Sequence, residues 1–264
     1  MLSGKSLTKA CRLCGKNQKL IKAHSIPEAF FRELRVDDQA PLLVSGKLGH
    51  FPKKAPIGIY DEAILCDVCE PTFGAADSYG IDVFLKRFDE HFHPVQQGGN
   101  VAGFESNSVD PNRLLQFLVS VLWRASVSSH VFYSKVALGP HEDAAREASD
   151  ISLNSMSPVF DAVLSRWRSQ DGGDLPTTAM LDPRREKWFG INAYRLYFGE
   201  TIAYVKVDAQ PFPAKMRNLS LRSAPPVLVV AREMKESKDL RALKHTAKRS
   251  HENAAKFRVA HGVR

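Results

Sequence analysis

The strongest hydrophobic pattern of the chain lies near its middle. Apolar side chains recur at helical spacing from Leu114 to Ala125, and other apolar residues fill the remaining faces of that segment. Asp110-Pro111, directly before it, supplies an N-cap and a proline for the first turn. The pattern predicts a helix that is buried nearly all round. Because Arg124 lies within it, we expect its guanidinium to pair with a carboxylate or to point into a polar cleft.

Before this helix, the pattern alternates between short apolar segments and turns. Residues 20–24 predict a short strand that ends at His24, and apolar positions at 29–35 predict a helix. Residues 57–65 predict a second strand, and residues 73–88 predict a second helix. Glycine, proline and polar residues at 94–109 indicate a boundary between two parts of the chain.

After the central helix, the pattern changes from helical to extended. The elements expected there are two helices, at 141–148 and 157–168, and three strands, at 188–198, 201–207 and 227–231. Gly199-Glu200 predicts the hairpin turn between the first two strands. Trp188 and Phe189 are expected to be core residues. The polar, basic segment from Arg232 onward predicts a C-terminal helix.

The composition is that of a folded protein. Of the 264 residues, 44% are hydrophobic and 25% are charged, which excludes global disorder and low-complexity classes. The longest apolar run, Leu114–Trp123, is too short to cross a bilayer, which takes about 18 or more apolar residues. The N-terminus has lysines but no apolar segment or cleavage site. We therefore expect no secretory signal, no membrane contact and a cytoplasmic location.

The net charge of +8 is concentrated at the C-terminus. From Arg232 to Arg264, ten Lys or Arg residues stand against four Asp or Glu residues, a net of +6. Such a segment attracts polyanions, because it neutralises phosphates and releases their counterions. A solvated surface helix has the same composition, so charge alone leaves nucleic-acid binding and an inert surface equally open.

The cysteine spacing carries the clearest chemistry. All four cysteines fall into two C-x-x-C pairs, Cys11/Cys14 and Cys66/Cys69. Two residues between thiolates let one tight turn present both sulfurs to one ion, and two such turns complete a closed tetrahedral shell. This spacing predicts one structural zinc ion. The alternatives are four reduced core cysteines or a redox pair, and the redox pair is less favoured because neither C-x-x-C lies in a βαβ pattern.

The order of strand, histidine, helix, second C-x-x-C and helix resembles the treble-clef (ββα) zinc module of the HNH endonuclease superfamily. His24, within Ala23–Pro27, occupies the position of the general base. The resemblance implies that His24 takes a proton from the attacking water while a separate Mg²⁺ or Mn²⁺ ion stabilises charge on the scissile phosphate. Glu70 and Asp77 are the candidate ligands for that ion, because carboxylate oxygens suit hard cations.

A narrower resemblance covers roughly residues 10–125. A family of uncharacterised bacterial zinc proteins has C-x-x-C, Ser/Ala-His-x-Ile-Pro, Leu-Cys-x-x-Cys-Glu and a later helix with Ser-x-x-Trp-Arg. The matching segments of this chain are Cys11–Cys14, Ala23–Pro27, Leu65–Glu70 and Ser120–Arg124. That family is related to HNH proteins by motif, and it implies no particular activity.

Two positions depart from the HNH pattern. Active enzymes usually carry Asp or His just before the base, as a ligand of the catalytic ion, whereas this chain has Ala23. After the second knuckle they usually carry His or Asn, whereas this chain has Glu70. Glu70 and Asp77 could equally stabilise the positive end of the following helix. His24 could be a structural histidine that is hydrogen-bonded beneath the zinc knuckle.

These observations predict an α+β fold in two domains. Residues 1–95 form the treble-clef zinc module, and residues 110–264 form a second domain that comprises a helical segment (110–170), a small antiparallel sheet (187–231) and a basic C-terminal helix (232–260). The leading hypothesis is a zinc-stabilised, metal-dependent endonuclease that acts on DNA rather than RNA, in a setting such as bacterial defence or a mobile element. The alternative is a non-catalytic treble-clef protein that binds nucleic acid or a protein partner.

Overall fold

The computed structural model describes residues 9–35, 37–45, 51–148, 156–168, 180–235 and 237–261. The helices there are α1 (Glu28–Arg32), α2 (Gly74–Ile81), α3 (Phe88–His91), α4 (Pro111–Val127), α5 (Glu142–Glu147), α6 (Ala214–Arg217) and α7 (Lys238–His261). The strands are β1 (Lys9–Ala10), β2 (Asn17–Gln18), β3 (Ala23–His24), β4 (Leu42–Leu43), β5 (Lys53–Lys54), β6 (Tyr60–Asp61), β7 (His93–Gln97), β8 (Asn100–Ser106), β9 (Phe160–Trp167), β10 (Arg184–Trp188), β11 (Ile191–Phe198), β12 (Thr201–Val207) and β13 (Val227–Arg232). None of the helices in these ranges is both long and apolar enough to cross a membrane.

Seven strands form one mixed sheet, in the order β10-β11-β12-β9-β13-β8-β7. Neighbouring strands are antiparallel, except that β13 and β9 are parallel. On one face, residues such as Leu164 and Phe198 pack with α4 in the main core. On the other face, Ile202 and Tyr204 pack against Leu243 of α7. The sheet is therefore the middle layer between the central helix and the C-terminal helix, and the protein is a mixed α+β structure.

The central helix forms as its sequence pattern predicts. Asp110 accepts hydrogen bonds from the backbone N–H groups of Asn112 and Arg113, so it is the N-cap. From Leu114 to Ala125, every side chain except Gln116 is buried. Burial on all sides explains why the segment is apolar on every face, because no face of this helix meets water.

An aromatic cluster joins the N-terminal half of the chain to the sheet. Phe198 of β11 lies with its ring centroid 5.1 Å from that of Phe30 in α1 and 5.1 Å from that of Phe117 in α4. Phe84 completes the group, 5.5 Å from Phe198. Buried residues of both predicted domains thus belong to one hydrophobic core. Within the described ranges, the cysteine-containing segment packs on the sheet domain through this shared core.

The prediction of a helix at 157–168 is wrong, because most of this segment forms the strand β9. β9 lies between β12 and β13 in the middle of the sheet, and nearly all of its residues are buried. A strand that is covered on both faces shows no alternation of apolar and polar residues, so the usual signal for a strand is missing. Pro158 lies just before the first residue of the strand.

Two other segments also differ from the prediction. Residues 94–109, expected to be a boundary, contain most of the β7–β8 hairpin at the sheet edge, with its turn at Gly98-Gly99. The segment 188–198 contains a turn at Phe189-Gly190, which separates β10 from β11. The expected small antiparallel sheet is therefore larger, mixed in direction and partly built from the N-terminal half. The strands expected at 20–24 and 57–65 are present only as the short β3 and β6.

The close approach of α2 to α4 generates a stability prediction. A Cβ atom at Gly80 would lie 2.4 Å from the ring of Phe117, so Gly80→Ala should cost about 1–3 kcal/mol through overpacking. Gly74, in the same helix, has nothing within 4 Å of such an atom. Gly74→Ala should therefore be neutral or stabilising by up to about 1 kcal/mol, because alanine favours helix. Denaturant unfolding of the two variants measures the difference, and equal effects would contradict the close helix packing.

Candidate metal centre

The first C-x-x-C pair lies in the tight turn between β1 and β2. The N–H of Gly15 donates to the carbonyl of Cys11 at 2.8 Å, and the N–H of Cys11 donates to the carbonyl of Lys16 at 2.9 Å. Gly15 has a φ of 72°, a left-handed conformation that glycine adopts without a steric penalty. The turn folds the chain back after Cys14, so that both thiols belong to one cluster.

The second pair lies in a turn that continues directly into a helix. The N–H groups of Cys69 and Glu70 both donate to the carbonyl of Cys66, at 3.1 and 3.0 Å. The chain then forms a 3₁₀ turn that leads into α2. The N–H of Arg12 donates to the carbonyl of Ile64 at 2.8 Å. This bond fixes the first turn against the segment that enters the second turn.

The four cysteine sulfurs form one cluster. They all lie within 4.8 Å of one another, and all four cysteines are free thiols. A tetrahedral zinc ion with Zn–S bonds of about 2.3 Å separates its sulfurs by about 3.8 Å, which this cluster accommodates. Cys11, Cys66 and Cys69 are buried, whereas Cys14 is exposed. The cluster could therefore hold a metal ion such as zinc in a site that the protein itself closes.

The protonation of the cluster also favours a cation. Burial raises the pKa of the Cys11 thiol, but backbone hydrogen bonds from Cys14, Cys66 and Leu13 outweigh it and lower the pKa to about 7. Burial and hydrogen bonds with the other three thiols raise the pKa of Cys69. One thiolate thus forms readily, and its charge opposes the ionisation of Cys69. A divalent cation would reverse that opposition, because it stabilises every thiolate that binds it.

His24 lies at the end of β3, where the sequence places it, and pairs with Tyr60 of β6. Its Nε2 lies 2.7 Å from the carbonyl oxygen of Ile57. A carbonyl only accepts, so Nε2 carries a proton and donates it, and the lone pair of the neutral ring is on Nδ1. The ring also meets the ring of Tyr60 edge-on, with centroids 6.1 Å apart. These contacts hold the half-buried imidazole in one orientation.

Asp77 is the partner of the buried arginine. Nη1 and Nη2 of Arg124 donate to its two carboxylate oxygens, at 2.8 and 2.5 Å. Nη1 of Arg124 also donates to the carbonyl of His24 at 2.9 Å, and the guanidinium lies 4.6 Å from the ring centroid of Phe73. The expected pairing of Arg124 with a carboxylate is therefore confirmed. The same pairing places a positive charge next to both oxygens that Asp77 would offer to a catalytic cation.

Glu70 begins the 3₁₀ turn after the second cysteine pair and is half-buried. Among the described residues, the four cysteines are the only group of three or more His, Cys, Asp or Glu side chains that could hold a metal ion. The structure thus brings the predicted zinc ligands together. It does not bring His24, Glu70 and Asp77 into a comparable group.

A cleft beside His24 contains residues that the sequence analysis did not single out. It has a volume of about 420 Å³ and is lined by Tyr60, Asp61, Glu62, Ser129, His130 and Val131. Asp61 is buried, which raises its pKa, but hydrogen bonds from Ser128, Ser129 and Ala63 outweigh burial and lower it. Because those bonds use both of its oxygens, Asp61 connects β6 to the end of α4. The only sequence feature that indicated this cleft was the run of polar residues at 128–130, directly after an apolar helix.

His130 in this cleft is not free to act as a base through Nδ1. Nδ1 accepts a hydrogen bond from the backbone N–H of Phe132 at 3.2 Å. The neutral ring therefore carries its proton on Nε2. Burial lowers the pKa of His130, and the charge of Asp61 opposes the shift only in part. The cleft therefore presents a neutral imidazole as a hydrogen-bond donor, with no additional metal group in the described residues.

In comparisons with known proteins, no family model, curated protein or solved structure matches this chain. The resemblance to HNH proteins and to the narrower zinc family therefore stays a prediction from motifs. Inferences about function rest on the cysteine cluster, on the surroundings of His24 and on the distribution of charge.

Proposed function

We propose that this chain is a zinc-stabilised, non-catalytic protein that binds nucleic acid. The cysteine cluster is a structural zinc site in which Cys11, Cys14, Cys66 and Cys69 supply four thiolates. Such a site has no open coordination position for a substrate or a reactive water. Its role is to hold the short β-hairpins and α2 together, because segments with strands of two residues bury too little apolar surface to fold by themselves.

The order of elements around the cluster supports a treble-clef arrangement. A hairpin with the first cysteine pair comes first, the β3–β6 pair follows, and the second cysteine pair opens the helical segment that leads to α2. In this proposal the second pair binds zinc from the start of a helical segment. That position favours anionic ligands, because free backbone N–H groups point towards them.

The surroundings of His24 favour a binding protein over an endonuclease. A general base of the HNH type needs a neighbouring divalent ion to stabilise the charge that develops on the phosphate. Both oxygens of Asp77 bind the guanidinium of Arg124, whose positive charge opposes a second cation there, and Ala23 offers no ligand. Glu70 alone would bind Mg²⁺ or Mn²⁺ weakly. His24 is better explained as a structural residue, whose Nε2 and carbonyl group both form hydrogen bonds within the protein.

The start of α7 is fixed to the sheet by a buried carboxylate. Asp239 is 1% exposed and accepts a hydrogen bond from the hydroxyl group of Tyr197 at 2.5 Å. It is also paired with Arg195, which binds Glu186 of β10 at 2.7 Å. Removing a carboxylate from water costs several kcal/mol unless it is paired in this way. The interaction therefore gives α7 one defined position on the sheet.

The exposed basic face of α7 is the observation that carries the proposal. Its residues are Lys238, Arg241, Lys248, Arg249 and Lys256. The other four lie three, ten, eleven and eighteen positions after Lys238, which places all five on one side of a helix. The face extends for about 27 Å at 1.5 Å per residue. Within α7, the acidic residues are Asp239, which is buried, and Glu252, which lies 4.0 Å from Lys248. A rigid row of cations of this length matches several phosphates of DNA, which we favour over RNA.

The purified protein should contain about one zinc ion per chain, as elemental analysis would measure. Cys66→Ser should release the ion and lower the midpoint of thermal unfolding, because structural zinc contributes directly to folding free energy. Val68→Ser is the matched control, since Val68 lies between Cys66 and Cys69 but is 72% exposed. The control should keep its zinc and its stability. Folded wild-type protein without bound metal would contradict the zinc assignment.

The basic face predicts a specific change in salt dependence. The triple variant Lys248→Gln, Arg249→Gln and Lys256→Gln should bind duplex DNA more weakly. It should also reduce the slope of log K against log salt by about 2 to 3, because each lost phosphate contact contributes about 0.9. The control removes the same charge from the cysteine-containing segment with Lys16→Gln, Lys19→Gln and Lys53→Gln. Fluorescence anisotropy at several salt concentrations measures both variants.

Two results would contradict this proposal. If the control triple variant lowers the salt slope as much as the α7 variant, the binding reflects net charge and not the face of α7. If the wild-type protein cleaves DNA or RNA with Mg²⁺ or Mn²⁺, and His24→Ala abolishes cleavage while its zinc remains bound, then the endonuclease hypothesis is correct. In that case His24 is the general base, and its loss should cost about 10²–10⁴-fold in rate.

A further inference from the structure

The turn between β10 and β11 contains a residue that its backbone disfavours. The strands are joined by two residues, Phe189 and Gly190, with φ values of 51° and 87°. A two-residue turn with both φ values positive is of a type that prefers Asn-Gly, Asp-Gly or Gly-Gly, because other side chains crowd the backbone there. An aromatic residue at the first position contributes nothing to turn formation. Residues that break a local rule in this way occur preferentially at functional sites.

The Phe189 ring is also exposed, in contrast to the core position that its sequence suggests. Phe189 is 51% exposed, whereas the neighbouring Trp188 is half-buried and stacks on Tyr204 with centroids 4.6 Å apart. Two contacts hold the exposed ring. Its centroid lies 5.3 Å from that of Trp188, and Nζ of Lys215 lies 4.0 Å from it. An apolar ring is thus presented to solvent in a fixed position and is not buried.

The strand before this ring and the helix that contacts it carry several exposed cations. Exposed cationic residues are contributed by the edge strand β10 and by α6, namely Arg185, Lys187, Lys215 and Arg217. The nearby carboxylates are already engaged. Glu186 is bound by Arg195, and Asp208 accepts hydrogen bonds from Asn192 and from the N–H of Gln210. The four cations around the hairpin tip are therefore not offset by a free carboxylate on the same two elements.

We propose that Phe189 is a stacking platform for an unpaired base of a single-stranded nucleic acid. The phosphates on either side of that base would lie against Arg185, Lys187, Lys215 and Arg217. An exposed aromatic ring within a basic surface is the combination that binds single strands, because every base has a face that can stack. A duplex cannot use the ring in this way, since its bases are already stacked. The inference rests on the proposed nucleic-acid binding and adds the class of substrate.

The chemistry of the tip favours a nucleic acid over a lipid surface. A membrane-bound loop needs several apolar side chains to insert among the lipids. Among the described residues, the other exposed large hydrophobic side chains are Leu42, Val44, Val68 and Val131. None of these lies on β10, β11 or α6. A single aromatic ring is enough to stack on one base, but it supplies too little apolar surface for insertion into a membrane.

The test uses a substitution that suits the turn better than the natural residue. Phe189→Asn removes the ring but provides a side chain that this turn type prefers, so the variant should fold at least as stably as the wild type. It should bind an oligothymidine or oligouridine of about twenty nucleotides about 5- to 100-fold more weakly, the range for loss of one stacked base. Affinity for a duplex of the same length should be unchanged, because the basic face of α7 is intact.

Two further variants make the result specific to the ring. Phe189→Tyr keeps a stacking surface and should retain most of the affinity for single strands. Leu42→Ala removes an equally exposed apolar side chain on β4 and should change nothing. Fluorescence anisotropy gives the affinities. Tryptophan emission provides a second measurement, because Trp188 contacts the ring, so a single strand should change the emission of the wild type more than that of Phe189→Asn.

Each contrary result has a distinct meaning. If Phe189→Asn binds single strands as tightly as the wild type while duplex binding persists, the stacking platform is wrong and the proposed function stands. If the wild type binds neither single strands nor duplexes, the proposed function and this inference both fail. If the wild type binds anionic phosphatidylserine vesicles and only that binding is lost in Phe189→Asn, the hairpin tip contacts lipid and the inference is overturned.

Discussion

The buried ion pair between Arg124 and Asp77 is the interaction on which the arrangement of the N-terminal half depends. One guanidinium joins α4 to α2 through Asp77 and to β3 through the carbonyl of His24, and it lies over the ring of Phe73. Its side chain is 3% exposed, so its charge must be balanced inside the protein. Three segments are therefore held in one geometry.

The cysteine-containing segment also shares a hydrophobic core with the sheet. The cysteine cluster brings its two turns together, and its buried cysteines belong to the same core as the aromatic cluster of Phe30, Phe117 and Phe198. A metal ion such as zinc in the cluster would therefore stabilise elements that the shared core also stabilises. On the far side of the sheet, Asp239 has a comparable role, because it fixes a helix whose outer face is basic. Asp77 and Asp239 thus each bind a buried arginine and join a helix to another part of the fold.

Local signals made much of this structure predictable from the sequence. The two C-x-x-C pairs, the Asp110 cap and the basic helix each depend on neighbouring residues, and each is present. The misplaced elements depend on distant contacts. The strand β9 looks helical because both of its faces are covered, and Asp77 looks like a metal ligand because its partner lies 47 positions away. The exposure of Phe189 could not be predicted from the sequence either. Its two-residue turn is evident only from the pairing of β10 with β11.

We propose that Asp77 is a structural counterion, and a double-mutant cycle measures that role. Unfolding free energies of Asp77→Ala, Arg124→Met and the double variant are compared with those of the exposed pair Asp82 and Arg87. Loss of Asp77 alone should cost about 3–5 kcal/mol, with part recovered in the double variant. The exposed pair should contribute about 0–1 kcal/mol. If Asp77→Ala is as stable as the wild type and instead abolishes a Mg²⁺-dependent cleavage activity, the carboxylate is catalytic and the account is contradicted.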